Sequence, residues 1–127
     1  MRKIETAMVA AIREAIADPY CSGPIFRQSN TTVFQTGNGA IRTPNFSRWI
    51  EVILYETVVA LIEPQAGRLS LYSGGFRTAT TKSRLNAILE SMGDGFYIAQ
   101  NKGQWGIYKG GYFYEPFYEG RPFTLRP

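Results

Sequence analysis

The stretch RWIEVILYETVVALIEPQAGRLSLYS, residues 48–73, decides the fold. Its apolar spacing also suits a helix, but its β-branched side chains are typical of strands: Ile50, Val52, Ile53, Thr57, Val58, Val59 and Ile62. The polar segment Tyr55-Glu56-Thr57 can reverse the direction of the chain, so residues 48–55 and 58–63 are predicted to form a hairpin. Residues 64–67 predict a turn, and the alternating residues 68–73 predict a third strand of an antiparallel meander with one buried face.

The residues before this meander predict one helix and little other regular structure. Residues 3–17 place apolar side chains three and four positions apart between charged ones, which predicts an amphipathic helix. Pro19 ends this helix, because proline disfavours helical geometry at the residue before it. Residues 20–48 are polar and rich in turn residues, so we expect loops there, one short strand at Thr32–Gln35 and a mobile loop tip at Gly37–Gly39.

A second helix is predicted directly after the meander, in the stretch GGFRTATTKSRLNAILESM, residues 74–92. The hydroxyl of Thr80 or Thr81 can cap a helix of residues 81–92, and Gly93 can end it. Its apolar stripe faces the core, whereas Lys82, Arg84 and Asn86 lie on other faces and are expected to face solvent. That expectation makes the helix start a cationic, hydroxyl-rich surface.

The C-terminal part predicts strands and an aromatic extension. Residues 95–100 and 104–108 form a hairpin around Asn101–Gly103. Residues 109–127 combine aromatic residues with prolines, which argues against a central strand and predicts an extended arm that packs on its own body or on a neighbouring subunit. The predicted class is therefore α+β, with an N-terminal helix, an antiparallel β-meander, a second helix, a C-terminal hairpin and an extended aromatic arm in one domain.

Composition limits the classes of function. A chain of 127 residues fits one domain, and its formal charge of +4 is compatible with a polyanionic partner. The lone Cys21 cannot form an internal disulfide, which favours a reducing compartment and a small buried residue. Charged residues interrupt every apolar run before it could act as a signal peptide or cross a bilayer, so a soluble protein with no membrane role is expected.

The residues of common enzymes are missing. The chain contains no histidine and one cysteine, so it lacks the usual zinc ligands and nucleophile-base pairs. The stretch Thr81-Lys82-Ser83 lacks the glycine spacing of a nucleotide-binding P-loop. We therefore expect no enzymatic activity, no cofactor and no metal.

The strongest candidate site is the start of the second helix. Free amide hydrogens and a partial positive charge make a helix N-terminus an anion site. We expect a phosphate to bind there, and aromatic rings near other cations are consistent with a sequence-tolerant single-strand binder, which stacks bases on such rings. The residues proposed for these contacts are Arg77, Thr80, Thr81, Lys82 and Arg84 for phosphate, Phe76 or Trp105 for the stacked bases, and Lys102 as the cation beside Trp105. In the alternative interpretation the hydroxyls only cap the helix, the cations form a solvated face and the aromatic rings pack in the core.

The string TATTKSRLNAIL, residues 78–89, resembles a T-x-TTKSRLNALL string of small tailed-phage proteins. About 45 residues share this resemblance, which includes the preceding meander. The chain is also similar to the early single-stranded-DNA-binding transcription cofactors of podophages. That resemblance implies DNA binding, a homo-oligomer, recruitment of the phage RNA polymerase and a place in the cytoplasm of the infected host.

A different class of function remains open for the aromatic arm, residues 109–127. The arm can dock on a host or phage protein, with no nucleic acid involved, or it can complete an oligomer of this chain. Exposed tyrosine and phenylalanine clusters are usually covered in stable proteins, which favours the oligomer for the arm itself.

Overall fold

The structure is a computed structural model that describes residues 1–18, 22–36 and 48–126. The described residues form two helices and nine strands in antiparallel sheets, which confirms the α+β class. The elements are α1 (Lys3–Ala17), β1 (Gly23–Gln28), β2 (Thr31–Thr36), β3 (Trp49–Leu54), β4 (Thr57–Glu63), β5 (Arg68–Leu71), α2 (Ala79–Met92), β6 (Phe96–Asn101), β7 (Gln104–Lys109), β8 (Tyr112–Pro116) and β9 (Arg121–Thr124). Cys21 and the predicted tip Gly37–Gly39 lie outside the described residues.

Two sheets and two helices surround one core. The large sheet has the strand order β1-β2-β3-β4-β5-β9, and the small sheet has the order β6-β7-β8. Helix α1 packs across β1, β2 and β3, while α2 contacts β4 of the large sheet and β6 of the small one. Helix α2 therefore lies between the two sheets, and α1 packs beside it on the large sheet. The fully buried side chains of helices and sheets include Met8, Ile12, Ile50, Ile62, Leu69, Leu71, Leu85, Ile88, Leu89, Ile98 and Ile107.

The meander β3-β4-β5 forms where the β-branched residues predicted it. The loop prediction for the residues before it is wrong at Gly23–Gln28, which form β1 and pair with β2. Pro24 had argued against a strand here, because a proline has no amide hydrogen to donate to the hydrogen bonds between strands. It is tolerated here because β1 is an edge strand of the sheet.

The aromatic extension forms two edge strands and packs on its own body. β8 pairs with β7, and β9 crosses to the large sheet and pairs with β5. Pro116 ends β8, and Pro122 lies in β9, so each proline sits in an edge strand where a missing donor costs little.

Arginine side chains from other parts of the chain donate hydrogen bonds to the last carbonyl groups of each helix. At the end of α1, the buried Arg48 guanidinium donates to the carbonyl oxygens of Ala15 at 2.9 Å and Ile16 at 2.8 Å. At the end of α2, Arg13 and Arg126 both donate to the carbonyl oxygen of Ser91. These contacts satisfy carbonyls that a helix end leaves without internal partners, and they fix both helices to the sheets.

Among the described residues, no helix combines the length and the apolar character needed to cross a membrane. The same residues hold no group of three or more acidic, cysteine or histidine side chains that could bind a metal ion.

Candidate functional site

An open cleft of about 830 Å³ lies where two hairpin turns of the large sheet meet the start of α2. One wall comes from the β1–β2 turn, the second from the β3–β4 turn, and the third from the segment that leads into the helix. The lining side chains belong to Arg27, Ser29, Asn30, Thr32, Leu54, Tyr55, Glu56, Thr57, Val59, Ser73, Phe76, Thr78 and Thr81. We call this feature the turn cleft.

The start of α2 borders the turn cleft, which its residues Thr78 and Thr81 line. The N-cap is Thr78, two or three residues before the predicted Thr80 or Thr81, and its hydroxyl accepts a hydrogen bond from the Thr81 amide at 3.2 Å. The amides of Ala79 and Thr80 precede the first intrahelical hydrogen bonds and have no acceptor within the helix. No acidic residue lies in the first turn, so the partial positive charge of the helix end is not neutralised from within the helix.

Two large aromatic rings stand exposed on the lining of the turn cleft. Phe76 is 62% exposed and Tyr55 is 70% exposed, whereas aromatic rings of this size are usually mostly buried. Arg27, also exposed, adds a cation from β1. The cleft therefore combines two aromatic faces with one cation, Arg27, and one carboxylate, Glu56, on one concave surface.

Tyr55 is a cleft residue that the sequence interpretation did not include, and its backbone conformation is unusual. It has a φ of 60°, a left-handed conformation that is rare for a bulky residue. The same conformation occurs at Ser29, with a φ of 54°, in the neighbouring turn. The Tyr55 amide donates to the Asn30 carbonyl at 2.6 Å, so the two turns hold each other in place. Such strain is commonly found at functional sites.

Arg84 does not face solvent, so that expectation is wrong. It is 4% exposed, and its guanidinium forms a salt bridge with the Glu5 carboxylate of α1 at 2.8 Å. It also donates to the Thr31 hydroxyl at 3.2 Å. Burial alone raises the pKa of the Glu5 carboxyl, but hydrogen bonds from the Ser83 hydroxyl, the Arg2 amide and Arg84 outweigh it and hold that pKa below its ordinary value. Arg84 therefore joins the two helices beneath the turn cleft and is closed to a phosphate.

Trp105 is also unavailable for stacking on a base. It is 2% exposed and packs edge-on against Phe117, with the ring centroids 5.4 Å apart. The Arg77 guanidinium covers both rings, at 5.7 Å from the Trp105 centroid and 5.2 Å from that of Phe117. Arg77 also pairs with Glu119 at 3.5 Å and does not line the turn cleft. These four residues form a second cluster behind the segment that leads into α2.

Glu119 holds that segment in shape. Its carboxylate accepts hydrogen bonds from the Ser73 amide at 2.7 Å, the Ser73 hydroxyl at 2.7 Å and the Gly74 amide at 2.9 Å. Burial raises the pKa of the Glu119 carboxyl, but these hydrogen bonds and the nearby Arg77 guanidinium lower it by a larger amount. The pKa of Glu119 therefore lies below its ordinary value. The carboxylate thus stays charged and fixes the wall from which Phe76 projects.

The other predicted residues lie outside the lining of the turn cleft. Thr80 and Lys82 are partly buried on α2, and Lys102 is exposed at the tip of the β6–β7 turn; none of the three lines the turn cleft. Of the eight predicted residues, the cleft brings together Phe76 and Thr81.

Comparison with known protein families gives a match over nearly the whole chain. The family model described as Kyanoviridae Gp96 protein matches residues 1–124. No curated protein and no solved structure matches the chain.

Proposed function

The chain belongs to the Kyanoviridae Gp96 protein family of tailed-phage proteins, and from this premise we propose that it binds single-stranded DNA in the turn cleft without strong sequence preference. One observation carries the proposal: the exposed rings of Phe76 and Tyr55 share a concave surface with the cation Arg27. Sequence-tolerant single-strand binders combine these two elements, since every base has a face to stack and every nucleotide has a phosphate to bind.

The roles within the cleft follow from the geometry. Arg27 neutralises a backbone phosphate inside the cleft, and the amides of Ala79 and Thr80, which follow the lining residue Thr78, donate to a second phosphate at the edge of the cleft. The adjacent bases stack on Phe76 and Tyr55, each contact contributing roughly 1 to 3 kcal/mol. Arg84 and Glu119 act indirectly, because they position the walls of the cleft.

The test is fluorescence anisotropy of a labelled oligo-dT titrated with the protein at low salt. Wild type should bind, and affinity should fall as salt rises with a log-log slope of about −0.7 for each phosphate neutralised. Phe76→Ala and Tyr55→Ala should each weaken binding by roughly 5- to 150-fold, which is the stacking free energy of 1 to 3 kcal/mol expressed as a ratio. Arg27→Gln should weaken binding and reduce the salt slope by about 0.7.

The matched control is Tyr112→Ala, which removes a ring that is 80% exposed but does not line the turn cleft. Its affinity should equal that of wild type. The proposal fails if oligo-dT does not bind at low salt, or if the Phe76 and Tyr55 variants bind as tightly as wild type does.

A second candidate function rests on the exposed aromatic side chains of residues 109–127. Tyr112, Phe113, Tyr114 and Tyr118 are all more than half exposed, which is typical of a surface that a protein partner covers. An RNA polymerase of the phage is the partner implied by a transcription role. Co-precipitation with the purified polymerase should then be lost in a Tyr112→Ser, Tyr118→Ser variant and kept in Phe76→Ala, the reverse of the pattern expected for DNA.

A further inference from the structure

A second concave site lies at the C-terminal end of α2, where the last turns of α1, the β4–β5 turn and the residues after β9 meet it. Its volume is about 550 Å³. Its walls include two cations and four apolar side chains, those of Arg13, Arg126, Ile16, Pro64, Met92 and Leu125. No acidic residue of the described chain lines it. We call this feature the arginine pocket; it and the turn cleft lie at opposite ends of a helix about 20 Å long.

The two arginines of this pocket converge on one carbonyl oxygen. Arg13 and Arg126 donate to the Ser91 carbonyl at 2.9 Å and 2.7 Å. The two donating nitrogens therefore lie within about 6 Å of each other, a distance at which like charges repel. Neither arginine forms an ion pair with a carboxylate in the part of the chain that the structure describes. The helix end supplies only about half of a negative charge, so most of the positive charge of the pair is uncompensated.

Both guanidiniums keep donors for a further acceptor. A guanidinium has five N–H groups on three nitrogens. Among the contacts of the described residues, Arg13 uses one nitrogen, for Ser91, and Arg126 uses one nitrogen, for Ser91 and, at 3.4 Å, for the Glu90 carbonyl. The remaining N–H groups match the two oxygens of a carboxylate, which arginine binds in a bidentate manner. A carboxylate bound beside the pair therefore gains charge-assisted hydrogen bonds and relieves the repulsion between the two cations.

The apolar wall of the arginine pocket suits a hydrocarbon chain better than a peptide. Its backbone groups already have partners: the Gly67 amide donates to the Pro64 carbonyl at 3.2 Å, and the Gly67 carbonyl accepts from the Leu125 amide at 2.9 Å. The Met92 carbonyl likewise accepts from the Arg126 amide at 2.8 Å. A peptide would bury its own amide groups against this wall without partners, which is unfavourable. A hydrocarbon chain has no such groups and is stabilised by its burial.

We propose that the arginine pocket binds an aliphatic carboxylate, with the carboxylate held by Arg13 and Arg126 and the hydrocarbon chain packed against the four apolar side chains. A volume of about 550 Å³ and an apolar wall with a few polar groups are typical of sites for small molecules. The site shares no lining residue with the turn cleft, so this activity is separate from DNA binding.

Isothermal titration calorimetry of the full chain with octanoate tests the proposal. Octanoate should bind at one site per chain and should raise Tm as its concentration increases. Acetate, which lacks the chain, and 1-octanol, which lacks the charge, should each bind at least about tenfold more weakly. A short apolar peptide with a free C-terminal carboxylate should not displace octanoate.

Variants of the two arginines identify the site. Arg13→Gln and Arg126→Gln should each weaken octanoate binding by roughly tenfold, as expected for the loss of a hydrogen bond to a charged group. Arg27→Gln is the matched control, because it removes a cation that lines the turn cleft and should leave octanoate affinity unchanged. Circular dichroism reports whether each variant is folded. If a glutamine variant does not fold, Arg13→Lys and Arg126→Lys replace it, since they keep the charge at the helix end but lose the paired donors, and they should also bind octanoate more weakly than wild type.

The proposal is overturned if octanoate produces neither heat of binding nor a rise in Tm. It is equally overturned if 1-octanol or the peptide binds as tightly as octanoate, or if the folded arginine variants keep the wild-type affinity. Octanoate binding is measured without DNA, so its failure leaves the oligo-dT test unaffected, and the reverse also holds.

Discussion

Replacing Arg84 by methionine tests how the two helices are joined. Met keeps most of the buried volume but removes the guanidinium that pairs with Glu5, whose carboxylate then stays buried without its countercharge. Breaking a buried pair in this way costs about 3 to 5 kcal/mol, a large part of the roughly 5 to 15 kcal/mol that stabilises a typical domain. For 127 residues the unfolding entropy is about 0.27 kcal/mol/K, so Tm should fall by roughly 11 to 19 °C.

Urea denaturation followed by circular dichroism measures this loss of stability. A double-mutant cycle isolates the interaction free energy between Glu5 and Arg84. The variant Glu5→Leu, Arg84→Met removes both charges and should be more stable than either single variant. Arg68→Met is the matched control, since it removes an exposed pair with Glu63 and should destabilise the protein far less than Arg84→Met does. A loss below about 1 kcal/mol for Arg84→Met, or strictly additive single effects, would refute the reasoning.

The same pair gives a prediction for acid stability. The pKa of Glu5 is lower in the folded protein than its ordinary value, so the unfolded chain binds the proton more readily. The contribution of Glu5 is therefore complete above the ordinary carboxyl pKa and is lost as the pH falls through the lower folded pKa. The Glu5→Leu, Arg84→Met variant should show a shallower loss of stability in this acidic range.

Three further predictions concern loops and caps. Gly74→Ala should destabilise the protein by more than Gly75→Ala, because both have positive φ but only at Gly74 would a Cβ meet the Thr57 methyl, at 2.2 Å; thermal melts compare the two. Arg48→Met should cost about 2 to 4 kcal/mol in urea denaturation, since it leaves two carbonyls at the end of α1 unpaired. Glu119→Gln should lower oligo-dT affinity without removing a ring, and the affinity of Glu119→Asp should lie closer to wild type.

The elements that sequence predicted well are those fixed by local chemistry. The β-branched residues of Trp49–Leu54 and Thr57–Glu63 specify strands because their side chains suit a pleated surface. The stripe of Ala79–Met92 and its end at Gly93 specify a helix in the same local way. Each of these features depends on residues a few positions apart, so one sequence contains the whole signal.

The features that sequence missed depend on residues far apart in the chain. Arg84 reads as a surface cation on its own helix, and only the position of Glu5, 79 residues earlier, makes it a buried partner. Trp105 reads as a possible stacking ring until Phe117 and Arg77 cover it. The unusual backbone at Tyr55 could be noticed from the turn, because a bulky residue occupies the first position of a two-residue turn, where glycine is usual.

The pairing of β9 with β5 has a consequence for synthesis. Leu69 and Phe123 lie opposite each other in the finished sheet, yet α2 and the whole small sheet lie between them in the chain. During translation β5 is therefore an unpaired edge until residues 121–124 leave the ribosome, and an unpaired edge can capture a strand of another nascent chain. A slow ribosome over the small sheet lengthens that interval, so the yield of folded protein should depend on codon choice between Gly95 and Arg121 and on chaperones that shield β5.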